Sequence, residues 1–241
     1  MPRFFVEKNQ IQGDTIHIEG EDASHITRVL RCRIGEEIWI NDKDATDYRC
    51  EISTLEKNSV TVHILEALPC QSEPKTKITL YQGLPKAEKM EWIIQKCVEL
   101  GVDAIVPVTT ERCIVKLEKK ETKKIERWAK IAESAAKQSG RGKIPEILPL
   151  CSFSQAIAEA AKKDGAIIPY ENEKNRGIRE FSQKFSGESV AVFIGPEGGF
   201  SEKEIALAQE SGILPVSLGK RILRTETAGM VAVALLLYEL E

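Results

Sequence analysis

The sequence predicts an α/β protein in two parts, a small N-terminal β-barrel followed by a larger domain built on a parallel sheet. Three observations carry this expectation. Short runs of alternating apolar residues fill the first 68 positions, a proline-containing stretch without apolar periodicity follows, and apolar strand-length runs then alternate with helical segments to the end.

In the first part, "FFVE", "TIHIE", "EEIWIND", "YRCEISTLE" and "SVTVHILEAL" have the composition of strands, and Gly13, Gly20, Gly35 and Asn58-Ser59 mark the turns between them. Closing such strands into a barrel buries one face of each. One segment differs. In "EDASHITRVLRCRIGEE", Ile26, Val29 and Leu30 fall at helical spacing before Gly35, and Arg28, Arg31 and Arg33 cluster there. The linker is "PCQSEPKTK", which divides the chain into domains at 1–70 and 75–241.

After the linker, "KITLYQGL" predicts a strand, 86–100 a helix stopped by Gly101, "AIVPV" a strand and 122–139 a long helix. "SFSQAIAEAAKK" predicts a helix, "GAIIPYE" and "SVAVFIG" strands, 202–211 a helix, "ILPVSLG" a strand and 225–240 the last helix. Strands that are apolar throughout and separated by helices belong to a parallel sheet covered on both faces.

The bulk numbers exclude several classes. With 241 residues, 42% hydrophobic and 29% charged, the chain has the composition of a globular protein and no low-complexity tract. The cysteines stand singly, without the paired spacing of a zinc site or a disulfide framework, so no metal is expected. The N-terminus lacks an apolar leader, and the longest apolar run, "MVAVALLLY", falls short of the ~20 residues that span a bilayer, so no membrane and a cytoplasmic location are expected. The net charge of −3 hides an asymmetry: residues 1–72 carry 8 Lys and Arg against 13 Asp and Glu, whereas 112–143 carry 11 against 4. That stretch is either a basic field for a polyanion or a solvated helix face.

In a parallel sheet, ligands bind beyond the carboxyl ends of the strands, which singles out "PYENE", "GPEGGFS" and "LGKRILRTETAG". The second lies between an apolar strand and a helix marked by a capping box, Ser201 with Glu204. A helix start with glycines suits a phosphate. Here Pro196 has no N–H, Glu197 repels a polyanion, and the lysine and hydroxyl of a phosphate loop are missing. Gly195, Gly198 and Gly199 also miss the dinucleotide spacing. The loop therefore suits a neutral or cationic ligand, unless its glycines serve turn geometry alone, with a positive φ at Gly198 or Gly199. In the third loop, Gly219 turns the chain, and Ile222 and Leu223 are apolar among polar neighbours. They either tuck under the last helix or hold an adenine ring against the glycine loop.

"FIGPEGGFSEKE" and "LGKRILRTETAG", at this separation near the C-terminus, resemble the signature of the SPOUT class of methyltransferases, and within it the RsmE family, which methylates N3 of a uridine in 16S ribosomal RNA. "KAEKMEWIIQKCVELGV", "SAAKQSGRGKIPEI" and "HITRVLR" before Gly35 agree, in family order, over nearly the whole chain. The resemblance implies a C-terminal trefoil knot, a PUA-like N-terminal barrel that holds RNA, and a homodimer. It also implies S-adenosylmethionine as cofactor, bound at Pro169, Ile194, Gly195, Glu197, Gly198, Gly199, Leu218, Gly219, Ile222, Leu223, Thr225 and Ala228. The substrate it implies is 16S ribosomal RNA, naked or in the assembled small subunit.

N3 of uridine is a weak acid, so its proton must leave and the charge on O2 and O4 must be stabilised. Arg224 is the first candidate for the charge and Arg221 the alternative. Glu226 is the candidate proton acceptor, or else a helix-start charge. Arg3, Arg28 and Arg31 from the barrel and Arg112, Lys116, Arg127, Lys137, Arg141 and Lys143 from the basic run are the candidate phosphate contacts. The three histidines, His17, His25 and His63, lie in the barrel, far from the chemistry unless a partner subunit brings one close, and packing or RNA contact rather than catalysis is expected of His25. Two other readings stay open from the sequence: another SPOUT reaction, on a ribose 2′-OH or a transfer RNA base, and an RNA-binding assembly factor without catalysis.

Overall fold

A computed structural model describes residues 1–44, 46–114 and 121–241. The chain forms two compact units, one of 1–73 with 136–144, the other of 74–135 with 145–241.

The first unit is a curled six-stranded sheet: β1 (Arg3–Phe5), β2 (Ile11–Gln12), β3 (Thr15–Glu19), β4 (Glu37–Asn41), β5 (Thr46–Leu55) and β6 (Ser59–Pro69). Their order is β1-β4-β5-β6-β3-β2, antiparallel except for β1 on β4. Alternation places Ile16 and Ile18 of β3, Ile38 and Ile40 of β4, and Val60 and Val62 of β6 in one core. Between β3 and β4 lies α1 (Gly20–Ser24), continued by a π-helical turn over His25–Val29 that buries Ile26 against that core and leaves Val29 exposed.

Residues 136–144 belong to this unit for an electrostatic reason. Arg141 is buried, and its guanidinium donates to Glu73 at 2.6 Å, while Glu73 also accepts the backbone N–H groups of Gly142 and Lys143. This overturns the sequence expectation for Arg141 as a phosphate contact, because a side chain 4% exposed and paired inside the fold has no face left for RNA. Arg141→Ala should lower stability by about 1–3 kcal/mol, since it strands a carboxylate that is three-quarters buried; a denaturant melt reads this, and an unchanged midpoint would contradict it.

The second unit carries a parallel sheet of β7 (Lys77–Gly83), β8 (Ala104–Thr109), β9 (Glu146–Ile147), β10 (Cys151–Ser152), β11 (Gly165–Pro169), β12 (Ser189–Ile194) and β13 (Leu214–Val216). The order is β10-β8-β7-β12-β11-β13, with β9 also on β8. One face is covered by α7 (Thr225–Leu240), which lies on β7 and β12, with α2 (Lys89–Leu100) and α5 (Ile178–Lys184) each packed on α7. The other is covered by α4 (Phe153–Ala160) and α6 (Glu202–Glu210), whose Phe153, Ile157, Ile205 and Ala208 meet Tyr81, Val106 and Phe193 of the strands. Between β8 and β9 runs α3 (Glu121–Ser139). Helix α5 has no counterpart in the sequence reading, because "GIREFSQK" is short and lacks a side-chain N-cap. No helix among the described residues is long and apolar enough to cross a membrane.

Candidate active site

The three loops that follow β11, β12 and β13 converge on one cavity of about 570 Å³, within the usual range of small-molecule sites. Each loop is held by its own sequence chemistry.

In the loop after β12, Gly199 has φ +66, a left-handed conformation that suits glycine, and its N–H bonds the Pro196 carbonyl at 2.9 Å. Gly195 has a different reason: a Cβ there would stand 3.1 Å from the Cα and carbonyl carbon of Gly199. Arg112 donates to the Gly198 carbonyl at 2.8 Å, and Phe200 anchors the loop's far end against Phe153, ring centroids 5.4 Å apart. The capping box is formed: Ser201 Oγ accepts from the Glu204 N–H, and Glu204 accepts from the Ser201 N–H at 2.8 Å. Glu204 also accepts from the backbone of Glu111.

In the loop after β13, Gly219 turns at φ +108, and Ile222 stands 89% exposed in the cavity wall. The chain then enters α7 at Thr225, a buried junction. Thr225 donates to the Gly195 carbonyl at 2.6 Å and accepts from Gln82 at 2.9 Å, which ties the glycine loop, β7 and α7 at one hydroxyl.

The charged part of the wall is a cluster at the start of α2. Lys89 Nζ donates to Glu197 at 2.8 Å and lies 3.6 Å from Glu226, and the Lys86 N–H also bonds Glu197, at 3.1 Å. The Glu197 hydrogen bond, opposed by partial burial, holds the Lys89 ammonium above its ordinary range. Burial pushes the Glu197 carboxyl up, but Lys89 and the backbone N–H groups outweigh it and hold the group below its usual value.

The residues expected at the cofactor site, Pro169, Ile194, Gly195, Glu197, Gly198, Gly199, Leu218, Gly219, Ile222, Leu223, Thr225 and Ala228, are brought together in this wall, with Arg221 and Arg224. Glu226 is not in it. Its carboxylate turns towards Lys89, 17% exposed, and its Oε2 is buried without a hydrogen-bond partner among the described residues. Lys89, Tyr170, Phe200, Ser217 and Lys220 also line the cavity, as does Glu171, whose carboxylate lies over Gly199. Of the loop "PYENE" the sequence singles out only Pro169 by residue, and nothing in sequence spacing brings Lys89 to the glycine loop.

The RNA methyltransferase domain family matches residues 71–237, and the RNA methyltransferase PUA domain family matches 18–65. The chain belongs to the RNA methyltransferase family. It is 38% identical to the ribosomal RNA small subunit methyltransferase E of Bacillus subtilis (strain 168), an alignment covering 100% of this chain and 98% of that one. The counterpart from Synechocystis sp. (strain ATCC 27184 / PCC 6803 / Kazusa) is 33% identical, over 96% of this chain and 76% of its own. Among solved structures, ribosomal RNA small subunit methyltransferase E from Neisseria gonorrhoeae, bound to S-adenosyl methionine, superposes with a TM-score of 0.87 at 35% identity, covering 98% of this chain and 96% of that one.

The candidate phosphate contacts fare unevenly. Arg28 and Arg31 are exposed, Arg31 with φ +55, and Arg112 is exposed beside the glycine loop. Arg3 is mostly buried, paired with Asp47 and lying over the Trp39 ring. Lys137 pairs with Asp22 at 2.8 Å and Arg127 with Glu91 at 2.7 Å, while the Lys143 N–H caps Glu73. Lys116 lies outside the described residues. No group of His, Cys, Asp and Glu among the described residues could hold a metal ion.

Proposed function

We propose that this protein methylates N3 of a uridine in 16S ribosomal RNA of the small ribosomal subunit, with S-adenosylmethionine as methyl donor. The observation that carries the reading is the cavity itself, in which three strand-end loops join bare glycine backbone, an exposed Ile222 and the carboxylates of Glu171 and Glu197. These residues fit the donor. Gly195 and Gly199 approach too closely to admit a side chain at Gly195, Ile222 and Leu223 offer apolar surface to an adenine, and Glu197 and Glu171 suit a cation with hydroxyl groups nearby. When bound, the cofactor supplies a methyl group on a positively charged sulfur.

The protein's own groups handle the uracil. Arg224, exposed in the wall, has no ion-pair partner among the described residues, so its donors are free for charge developing on O2 or O4; Arg221 is the alternative. Glu226, the proton acceptor expected from the sequence, lies behind the wall beside Lys89, so this reading assigns it no contact with the base. N3 lies on the pairing edge, so the target base must be unpaired or flipped out.

The rest of the reading follows the same family. The trefoil knot is the part of this reading that the family resemblance implies. Trp92 of α2 and Leu235 and Tyr238 of α7 are exposed, which supports a homodimer. Arg28, Arg31 and Arg112 supply phosphate contacts, so RNA affinity should fall steeply with salt. Each phosphate neutralised contributes roughly −0.7 to −0.9 to the slope of log K against log salt concentration, and a flat dependence would contradict the assignment.

The decisive experiment incubates the protein with labelled S-adenosylmethionine and small ribosomal subunits that lack the modification, digests the RNA and identifies the labelled nucleoside by mass spectrometry. Label in 3-methyluridine is expected. Label in a 2′-O-methylated or other nucleoside would reject the target, and RNA binding without label would reject catalysis.

A further inference from the structure

Glu226 Oε2 is a buried carboxylate oxygen with no hydrogen-bond partner among the described residues, and such a group needs a compensating charge. Among the described residues the cation paired with it is Lys89, 3.6 Å away, and that ammonium is already donating at 2.8 Å to Glu197 of the glycine loop. A single cation therefore serves two carboxylates from two different loops. Lys89 and Glu197 stand in the cavity wall, whereas Glu226 lies behind it.

We propose that Lys89 is a positioning residue that sets the charge of this site: by bridging Glu197 and Glu226 it cancels one of their two negative charges, and so limits how strongly the cavity favours the cationic methyl donor over its neutral demethylated product. The proposal rests on the reading of the cavity as the S-adenosylmethionine site. Methyl transfer converts a sulfonium into a thioether, so donor and product differ by one unit of positive charge and one methyl group. A negative cluster in a partly desolvated wall acts on that difference and so favours release of the product. The other charges of the wall, Glu171, Lys220, Arg221 and Arg224, are common to every variant compared below.

The test is calorimetric titration of the purified full chain with S-adenosylmethionine and, separately, S-adenosylhomocysteine, at about pH 8, well above the ordinary carboxylate range. Lys89→Met takes the cluster from −1 to −2 and should raise the preference for the donor, the ratio of the two dissociation constants, by roughly three- to tenfold. Glu226→Gln takes it to zero and should lower the ratio by a similar factor, with Glu197→Gln as a second variant of the same sign. Lys89→Arg should restore the wild-type ratio. A purely structural role would weaken both ligands together, so ratios within twofold of wild type in Lys89→Met and in both Gln variants would overturn the proposal. A wild-type chain that binds neither ligand would overturn the cofactor reading and this proposal with it.

Discussion

Arg224→Ala is expected to lower the rate of methyl transfer by about 10²-fold or more while leaving the dissociation constant for S-adenosylmethionine within about threefold of wild type. The reason lies in where the side chain sits and what it does not do. Arg224 is the residue immediately before α7, in extended conformation and exposed in the cavity; its carbonyl accepts from the Ala228 N–H at 2.8 Å, but its side chain makes no hydrogen bond or ion pair among the described residues. The fold does not depend on it, so its removal should not disturb the glycine loop, which Thr225, Arg112 and Phe200 hold independently. What alanine removes is a fixed planar cation at the point where the uracil anion develops, and such preorganised charge acts on the transition state rather than on cofactor binding. Arg224→Lys should fall between the two, because it keeps the charge and loses the two-pronged geometry. Steady-state kinetics with small ribosomal subunits, beside a cofactor titration, make the separation. An unchanged rate would remove Arg224 from the site, and the same loss in Arg221→Ala instead would transfer the role to its neighbour.

Gly83→Ala should damage both the stability of the second unit and the wall of its cavity. Gly83 ends β7, and a Cβ built there would stand 2.7 Å from both the ring Cδ and the backbone nitrogen of Pro196, and 3.1 Å from the carbonyl carbon of Gly195. The obstacle is mainly backbone and a rigid ring, so it cannot swing aside as a flexible side chain would. Either β7 or the glycine loop must move. Overpacking of this kind costs about 1–3 kcal/mol or somewhat more, and here the displaced atoms are themselves the wall of the cavity. A drop of several degrees in melting temperature is expected, together with a loss of at least about tenfold in S-adenosylmethionine affinity. Gly177→Ala is the control, since its φ is −98° and a Cβ there meets nothing within 4 Å; it should cost under about 1 kcal/mol. A Gly83→Ala chain that binds and melts like wild type would show that the loop is not held against the strand end.

Much of the second unit was legible because its signals are local. The 3.6-residue pattern, the Ser201–Glu204 capping box, and Gly101 with φ +108 after α2 each act within one or two turns of chain. Strands apolar throughout, such as "SVAVFI", require cover on both faces, which is why a parallel sheet could be expected before any contact was known. The first unit was legible for the complementary reason, since alternation in "TIHIE" and "EIWIN" states which side of a strand is buried.

The basic run 112–143 shows where local signals mislead. Its cations carry the same letter whether they face solvent or a carboxylate, and only the folded chain places Arg141 against Glu73, Lys137 against Asp22 and Arg127 against Glu91. The short elements at Glu146–Ile147, Cys151–Ser152 and Ile178–Lys184 were invisible because two to seven residues carry too little periodicity to register.

The sequence by itself determined the two-part α/β architecture, the three strand-end loops that carry the chemistry, and the family, because each depends on residues close in the chain or on motifs at fixed separation. Tertiary structure alone decided which arginines are free, how Thr225 joins the glycine loop to β7 and the last helix, and that one lysine from α2 bridges Glu197 and Glu226. Lys89 and Glu197 are more than a hundred positions apart, and the Coulomb energy between them depends on distance in space, about which chain separation says nothing.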